Sequence, residues 1–259
     1  MPVRSLLSLK PGELSLFQRF VDTLMVVQMC WLVWDDAATA VVNVHQRSTI
    51  VFKHHAGGTG GGGIAPGSVR IPCAAFQPVV KDGGGGGGGD SASIVDIDVD
   101  SGELLVCGRA PAVAVSAPAP ALLPFERAAN FSVPSERFNA VVYVMCLGMD
   151  RTAVRCGGGA PATMRTEFDR RPPDPAATGD DDGDDDDRST ILATFGASSC
   201  STDLAEVTVI SKSIRRVTSL MSQFKTIRVF VDPLEHTLTL HCKAHNNRCE
   251  IISQHDGHH

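Results

Sequence analysis

The strongest chemical signal in this 259-residue chain is a run of basic residues that contains no acidic ones. No Asp or Glu occurs between Val207 and Val231. A solvated helix face usually mixes charges, because opposite charges three or four residues apart stabilise each other. A face of one sign instead favours a polyanion held through its phosphates, without reading of bases. The alternative is an ordinary solvated face that happens to lack Glu. The bases in this run are Lys212, Arg215, Arg216, Lys225 and Arg228.

Most of these bases belong to an amphipathic helix predicted over residues 211–224. At 100° per residue, six apolar side chains fall within an arc of roughly 120°. They are Ile210, Ile214, Val217, Leu220, Met221 and Phe224. Lys212, Arg215 and Arg216 fall on the opposite side. A second amphipathic helix, predicted over 13–27, adds Arg19 on its outer side, beside Asp22.

Other residue sets that could support chemistry are less convincing. A zinc site is suggested by His241, Cys242, His245 and Cys249, but no CxxC pair is present. His241 and Cys242 would also lie on opposite faces of a strand, so no metal site is predicted. The glycine tracts lack the GK[ST] sequence of a phosphate loop. No Ser/His/Asp or Cys/His arrangement has local support, and we therefore expect neither an enzyme nor a cofactor, with a spatially assembled hydrolase site as an alternative.

The two helices belong to repeated units. A shift of 196 residues superimposes a helix and three strands on a second helix with three strands, which indicates a duplicated module. The shift pairs Arg19 with Arg215, Val21 with Val217, Leu24 with Leu220, Val33 with Val229, Asp36 with Asp232 and His45 with His241. A looser third copy is predicted around the glycine tract at 83–89. Residues 138–147 (FNAVVYVMCL) are nearly all apolar and predict a buried strand.

Composition then divides the chain. We expect an N-terminal domain over 1–156 with flexible glycine-rich insertions at 56–67 and 83–89, a disordered acidic linker over 157–190, and a partial second domain over 191–259. Removing the seven Asp residues of the acidic run changes the net charge from −6 to +1, so a basic surface has to be local. The chain shows no secretory signal and no apolar run near the roughly 20 residues that span a bilayer, which predicts reduced cysteines inside the cell and no membrane contact.

Three stretches resemble the sliding DNA clamps related to proliferating-cell nuclear antigen. The first helix begins L-x-x-F-x-R-F at Leu14, and residues 210–221 (ISKSIRRVTSLM) and 138–147 are similar to clamp segments. Within that superfamily the chain most resembles the Hus subunit of the nine-one-one checkpoint clamp. The resemblance implies an α+β fold of repeated βαβββ units, with antiparallel sheets outside and helices on the inner face.

The resemblance also implies a function. The chain would be a non-catalytic subunit of a heterotrimeric ring that encircles duplex DNA in the nucleus, for damage-checkpoint signalling and repair. Its partners would be two related clamp subunits, a clamp loader and repair proteins. Alternatives are a protein-binding adaptor that does not contact DNA, or a replication processivity factor. Arg19, Lys212, Arg215, Arg216 and Lys225 would contact phosphates. The last strand, with Arg248, Glu250 and Ile252, would be a subunit edge, and a fourth βαβββ unit would be missing.

Overall fold

The computed structural model describes residues 3–24, 28–55, 65–81, 91–145, 151–169, 188–197 and 204–257. These residues form four consecutive units, each with a strand, a helix and three further strands. The first unit comprises β1 (Val3–Leu9), α1 (Pro11–Leu24), β2 (Met29–Trp34), β3 (Ala38–His45) and β4 (Ser48–His55). The second comprises β5 (Gly67–Pro72), a 3₁₀ turn (Cys73–Phe76), α2 (Gln77–Lys81), β6 (Ala92–Asp98), β7 (Leu104–Val106) and β8 (Val115–Ser116).

The second half of the chain repeats this order. The third unit comprises β9 (Ala129–Pro134), α3 (Ser135–Met145), β10 (Arg151–Gly157), β11 (Ala160–Asp169) and β12 (Arg188–Ala197). The fourth comprises β13 (Ala205–Ile210), α4 (Ser211–Met221), β14 (Thr226–Asp232), β15 (Thr237–Ala244) and β16 (Cys249–Asp256). None of the helices in the described part of the chain is long and apolar enough to span a membrane.

The strands form three sheets in which every neighbouring pair is antiparallel. The largest sheet runs through both halves in the order β8-β5-β2-β3-β4-β16-β15-β14-β9. The others have the orders β1-β6-β7 and β12-β11-β10-β13. The halves also repeat each other's pairing: β1 pairs with β6 as β9 pairs with β14, and β2 pairs with β5 as β10 pairs with β13. The predicted α+β class with antiparallel sheets is confirmed.

The helices cover one face of the large sheet. Phe17, Phe20 and Leu24 of α1 are fully buried, and the Phe17 ring meets the Phe52 ring of β4 edge-on at 4.9 Å. Such aromatic pairs contribute roughly 0.5–1.5 kcal/mol beyond the area they bury. Because consecutive side chains of a strand point to opposite sides of the sheet, neighbouring residues belong to different clusters. Ile251 lies in the core below the helices, whereas Ile252 lies in a separate cluster with Phe125. Helix α4 packs between α1 and α3, so these three helices form one layer.

Two sequence predictions in the middle of the chain are wrong. Residues 138–145 belong to helix α3 instead of a strand, because Phe138, Val142 and Met145 are buried on one side while Tyr143 and Val144 remain exposed. The uninterrupted apolar run concealed this 3.6-residue period. Residues 160–169 of the predicted linker form β11, in which alternate residues are buried. Residues 170–187 of that linker, and the glycine tracts at 56–64 and 83–89, lie outside the described residues.

The βαβββ unit that was expected to be missing is present in the middle of the chain. The third unit, β9 to β12, lies between the predicted N-terminal domain and the predicted partial domain. Strand β9 pairs with β14, and β10 pairs with β13, so residues 129–157 belong with the C-terminal half instead of the N-terminal one. All four units are therefore present, and the second half is not a partial copy.

The prediction that the last strand is a free edge is also wrong. Strand β16 lies inside the large sheet between β4 and β15. Glu250 is opposite Lys53 on one side and Lys243 on the other, and Ile252 is likewise flanked by Val51 and His241. Arg248 precedes the strand and contacts Glu13 of α1 at 3.3 Å. These three residues join the two halves of one chain, and their edges are not available to another subunit.

Candidate nucleic-acid interface

Helix α4 orients its basic side chains away from the core. Ile214, Val217 and Leu220 are buried, while Lys212 and Arg215 are exposed one turn apart. The helix is held at its start by a hydrogen bond of 2.8 Å between the hydroxyls of Ser211 and Thr152. The predicted amphipathic division is therefore present. Its exposed side carries bases and small polar residues, with no carboxylate.

Arg216 has a different position from its neighbours. Its guanidinium is half-buried and donates a hydrogen bond from Nη2 to the backbone oxygen of Thr23, at 3.2 Å, in the last turn of α1. Nε and Nη1 are buried and have no hydrogen-bond partner among the described residues. Burial lowers the pKa of Arg216, although an arginine remains charged at neutral pH. Arg216 therefore links α4 to α1 and places a charge between them.

A cleft of about 300 Å³ lies at this contact between the two helices. It is lined by Arg19, Asp22, Thr23, Arg216 and Ser219. Arg19 and Arg216, which are nearly two hundred residues apart in sequence, therefore face the same space. The carboxylate of Asp22 reduces the positive charge there, so the cleft is less basic than the exposed side of α4.

Helix α3 adds contacts that the sequence analysis missed. The Arg215 guanidinium lies 5.8 Å from the centre of the exposed Tyr143 ring, which is within the range of a cation–π contact. Arg137 is exposed near the start of α3 and donates a hydrogen bond of 2.6 Å to the backbone oxygen of Thr194. The helical period of residues 138, 142 and 145 would have indicated α3, and with it Arg137 and Tyr143.

The other two bases of the run, Lys225 and Arg228, lie outside helix α4. Lys225 is exposed in the turn between α4 and β14, and its backbone oxygen accepts a hydrogen bond of 3.1 Å from the Ser135 amide at the start of α3. Arg228 lies on the sheet side, where its Nε donates to the Asn130 side chain at 3.0 Å and its guanidinium covers the Phe230 ring. The structure thus keeps Lys212, Arg215 and Arg216 on one helix and brings Arg19 to Arg216. Arg228 lies on the sheet, away from this helix.

The opposite face of the sheet carries a second polar cluster, centred on Glu250. Its carboxylate lies 3.0 Å from Lys243 Nζ, 3.2 Å from His55 Nε2 and 3.5 Å from His241 Nε2. His241 and then Lys243 lower the pKa of Glu250 to about 2. The cluster lines a cavity of about 750 Å³ whose rim includes residues 122–126. The Gln254 side chain holds that rim by two hydrogen bonds to the Leu123 backbone.

The zinc site that the sequence suggested around His241 is not assembled. His241 points to the Glu250 cluster, whereas Cys242 points the other way and contacts Met221 of α4, with 3.1 Å between the two sulfur atoms.

Chemically, the helix side can hold phosphates with Lys212 and Arg215, with Arg19 and Arg216 behind them. Exposed guanidinium and ammonium groups bind phosphate without fixing a base sequence.

Comparison with known proteins agrees with this architecture. The chain matches no protein-family model and no curated protein. It is similar in structure to "Proliferating Cellular Nuclear Antigen from Entamoeba histolytica", with a TM-score of 0.65 and 12% sequence identity. The match covers 98% of this chain and 100% of that one. At this identity the similarity establishes the fold, which is that of a sliding clamp.

Proposed function

We propose that this chain is a non-catalytic, ring-forming subunit of a sliding clamp that encircles duplex DNA. The observation that carries the proposal is the helix layer: α1, α4 and α3 lie side by side, and the exposed side of α4 carries bases without any carboxylate. The clamp fold supports it, since four βαβββ units extend over the full length of the similar clamp protein. Lys212 and Arg215 contact phosphates first, and Arg19, Arg216 and Lys225 add positive charge around them.

The DNA contact is tested best at the two exposed bases of α4. We expect Lys212→Glu with Arg215→Glu to weaken duplex binding and to lower the salt dependence, by about 0.9 in the log–log slope for each phosphate contact removed. Arg216 is left intact, because it links α4 to α1. Arg70→Glu with Arg127→Glu changes the net charge equally at exposed residues outside the helix layer. Equal binding by wild type and the helix variant across a salt series would refute DNA binding.

Ring formation requires strand edges other than β16. Strand β12 ends its sheet, and it occupies the place in the third unit that β4 occupies in the first. Since β4 is covered by β16 within the chain, we propose that β12 is covered by the β1-β6-β7 sheet of the next subunit, through β7. An exposed edge is a ready template for strand addition, and head-to-tail contacts of this kind close into rings.

The edge is tested through Leu192 of β12, whose side chain is 60% exposed. We expect Leu192→Glu to shift the assembled protein towards monomer in sedimentation, with related subunits added where the ring is heteromeric. Leu234→Glu is the matched control, because Leu234 is 88% exposed in the turn between β14 and β15. Assembly that is unaffected by the β12 change would remove this interface.

The finer part of the proposal is a checkpoint role in the nucleus, as one of three related subunits that act with a clamp loader and repair proteins. It is supported by the likeness of residues 210–221 to the Hus subunit. Affinity purification from the native cell with mass spectrometry separates the possibilities. Recovery of two related subunits supports the checkpoint ring, whereas recovery of this chain alone as a ring supports a replication processivity factor.

A protein-binding adaptor is the second candidate, and the 750 Å³ cavity on the sheet side favours it. Its wall combines apolar residues with the Glu250 cluster, as in many pockets that bind side chains of a partner. Retained partner binding by a chain that binds no DNA in any assembly would make the adaptor the better assignment.

A further inference from the structure

A second group of polar side chains is buried where the two halves of the chain meet. Glu13 comes from the first turn of α1, His54 from β4 and Cys249 from the first position of β16. Their exposed fractions are 2%, 5% and 0%. One potential ligand atom from each residue lies within 4.8 Å of the other two. A buried carboxylate and a buried imidazole need polar partners, because each loses hydration there.

The His54 imidazole is incompletely satisfied. Its Nε2 atom is buried and makes no hydrogen bond in the part of the chain that the structure describes. It points at Glu13 Oε2 from 3.5 Å, beyond the usual length of about 2.9 Å for an N–H···O hydrogen bond. Bonds of about 2.0–2.3 Å to a tetrahedral zinc ion place two ligand atoms about 3.3–3.8 Å apart. The His54–Glu13 distance already has this value. The Cys249 sulfur lies within 4.8 Å of both ligand atoms, so it would have to approach by at most about 1 Å.

The neighbours orient the carboxylate for such a role. Glu13 Oε2 accepts a hydrogen bond of 2.9 Å from the Lys10 amide, and Oε1 lies 3.3 Å from Arg248 Nε. These contacts hold the carboxylate in place beside His54. Outer contacts of this kind commonly fix the ligands of a metal.

A further histidine lies beside the helix turn that carries Glu13. The His245 ring packs on the backbone of Gly12, next to Glu13: a methyl group on Gly12 would lie 2.9 Å from His245 Cε1. His245 is exposed in the turn between β15 and β16, and its ring would have to turn to direct a nitrogen at the cluster. A set of imidazole nitrogen, thiolate sulfur and one carboxylate oxygen suits zinc, whereas Mg²⁺ and Ca²⁺ prefer oxygen ligands alone.

We propose that Glu13, His54 and Cys249 form a structural zinc site, with His245 or water in the fourth position. The ion would join α1 and β4 of the first half to β16 of the second half, where the large sheet passes between them. Zinc binds the thiolate form of cysteine, so Cys249 releases its proton to solvent when the ion binds. The Glu13 carboxylate and the Cys249 thiolate then supply two negative charges to the ion, and the Arg248 guanidinium stays beside Glu13.

The test uses the whole chain, purified with a phosphine reductant and without chelators. We expect zinc titrated against a chromogenic chelator to bind at one site per chain and to raise the melting temperature by several degrees. Cobalt in place of zinc should give the near-ultraviolet charge-transfer absorption of a thiolate ligand. His54→Gln and Cys249→Ser should each weaken zinc binding at least about tenfold, and Cys249→Ser should abolish the thiolate absorption.

The controls are His241→Gln and Cys242→Ser, which change the same residue types on neighbouring β15, outside the cluster. Both should bind zinc as the wild type does. If Cys249→Ser does not fold, His54→Gln and the wild-type cobalt spectrum still decide the matter. The proposal is overturned if the wild type binds no zinc, if its cobalt form lacks the thiolate absorption, or if the controls weaken zinc binding as much as the site variants.

Discussion

His255 gives a prediction about acid stability that can be derived from its surroundings. Its imidazole is completely buried near the end of β16. Nε2 lies 2.9 Å from the Ser253 hydroxyl, and Nδ1 lies 3.1 Å from the Ser213 hydroxyl of α4. His255 therefore joins the large sheet to the helix that carries the basic residues. Burial lowers the pKa of His255 to about 4, from an ordinary value of 6.5.

The sign and the size of the effect follow from this difference. Because the pKa is lower in the folded state, the unfolded chain binds the additional proton between pH 6.5 and about 4. The stabilisation is complete above pH 6.5 and is lost as the pH falls to about 4. Its slope approaches about 1.4 kcal/mol per pH unit, with a total of roughly 3 kcal/mol. That is a large share of the 5–15 kcal/mol by which folded proteins are usually stable.

The measurement is the free energy of unfolding in urea at several pH values between 7.5 and 4.5. His255→Gln cannot be protonated and retains one amide for a serine hydroxyl. We expect this variant to be about 1–2 kcal/mol less stable at pH 7.5, because one buried hydrogen bond is lost. Its stability should then fall less steeply with pH than that of the wild type. The range stops at pH 4.5, the ordinary pKa of a glutamate. Below it the lowered pKa of Glu250, about 2, also makes the free energy of unfolding depend on pH.

His236→Asn is the matched control, since His236 is exposed and has a left-handed backbone (φ 49°) that Asn tolerates. This variant should retain the wild-type dependence on pH. Burial also lowers the pKa of His54, but that contribution is common to all three proteins and cancels in the comparison. Parallel curves for the wild type and His255→Gln would show that His255 does not cause the acid sensitivity, and the reasoning would be refuted.

Two further predictions concern the first half of the chain. Phe17→Ala should lower the free energy of unfolding by about 3–5 kcal/mol, because Phe17 is fully buried against Phe52 and Phe76. Denaturant unfolding measures this change, and a loss below about 1 kcal/mol would contradict the packing. Gly67→Ala should cost about 1–3 kcal/mol and change the tryptophan fluorescence, because the added methyl group would lie 2.3 Å from the Trp34 ring. Gly196→Ala is its control, because a methyl group there meets no atom of the described residues within 4 Å. Equal effects of the two substitutions would be inconsistent with the structure.

Local patterns were sufficient for part of the fold. The helix predicted over 13–27 is α1, and the helix predicted over 211–224 contains α4, because each has one clearly apolar side. The division of α4 into buried and exposed residues was predicted for the same reason, except at Arg216, which was expected on the outer side and is half-buried against α1. Residues 138–145 were assigned to the wrong element because apolar residues occupy both sides of α3, as the exposed Tyr143 and Val144 show. Without a polar side, periodicity does not distinguish a helix from a buried strand.

By itself, the sequence determined helices α1 and α4, the strands that follow each of them and the basic side of α4, since each of these elements depends on spacings within some twenty residues. The tertiary structure alone decided that β16 is enclosed by β4 and β15, that Arg216 reaches Thr23, and that Glu13, His54 and Cys249 meet. The physical reason is the nature of strand pairing. It joins residues nearly two hundred positions apart through backbone hydrogen bonds, and those bonds leave no local pattern in the side chains.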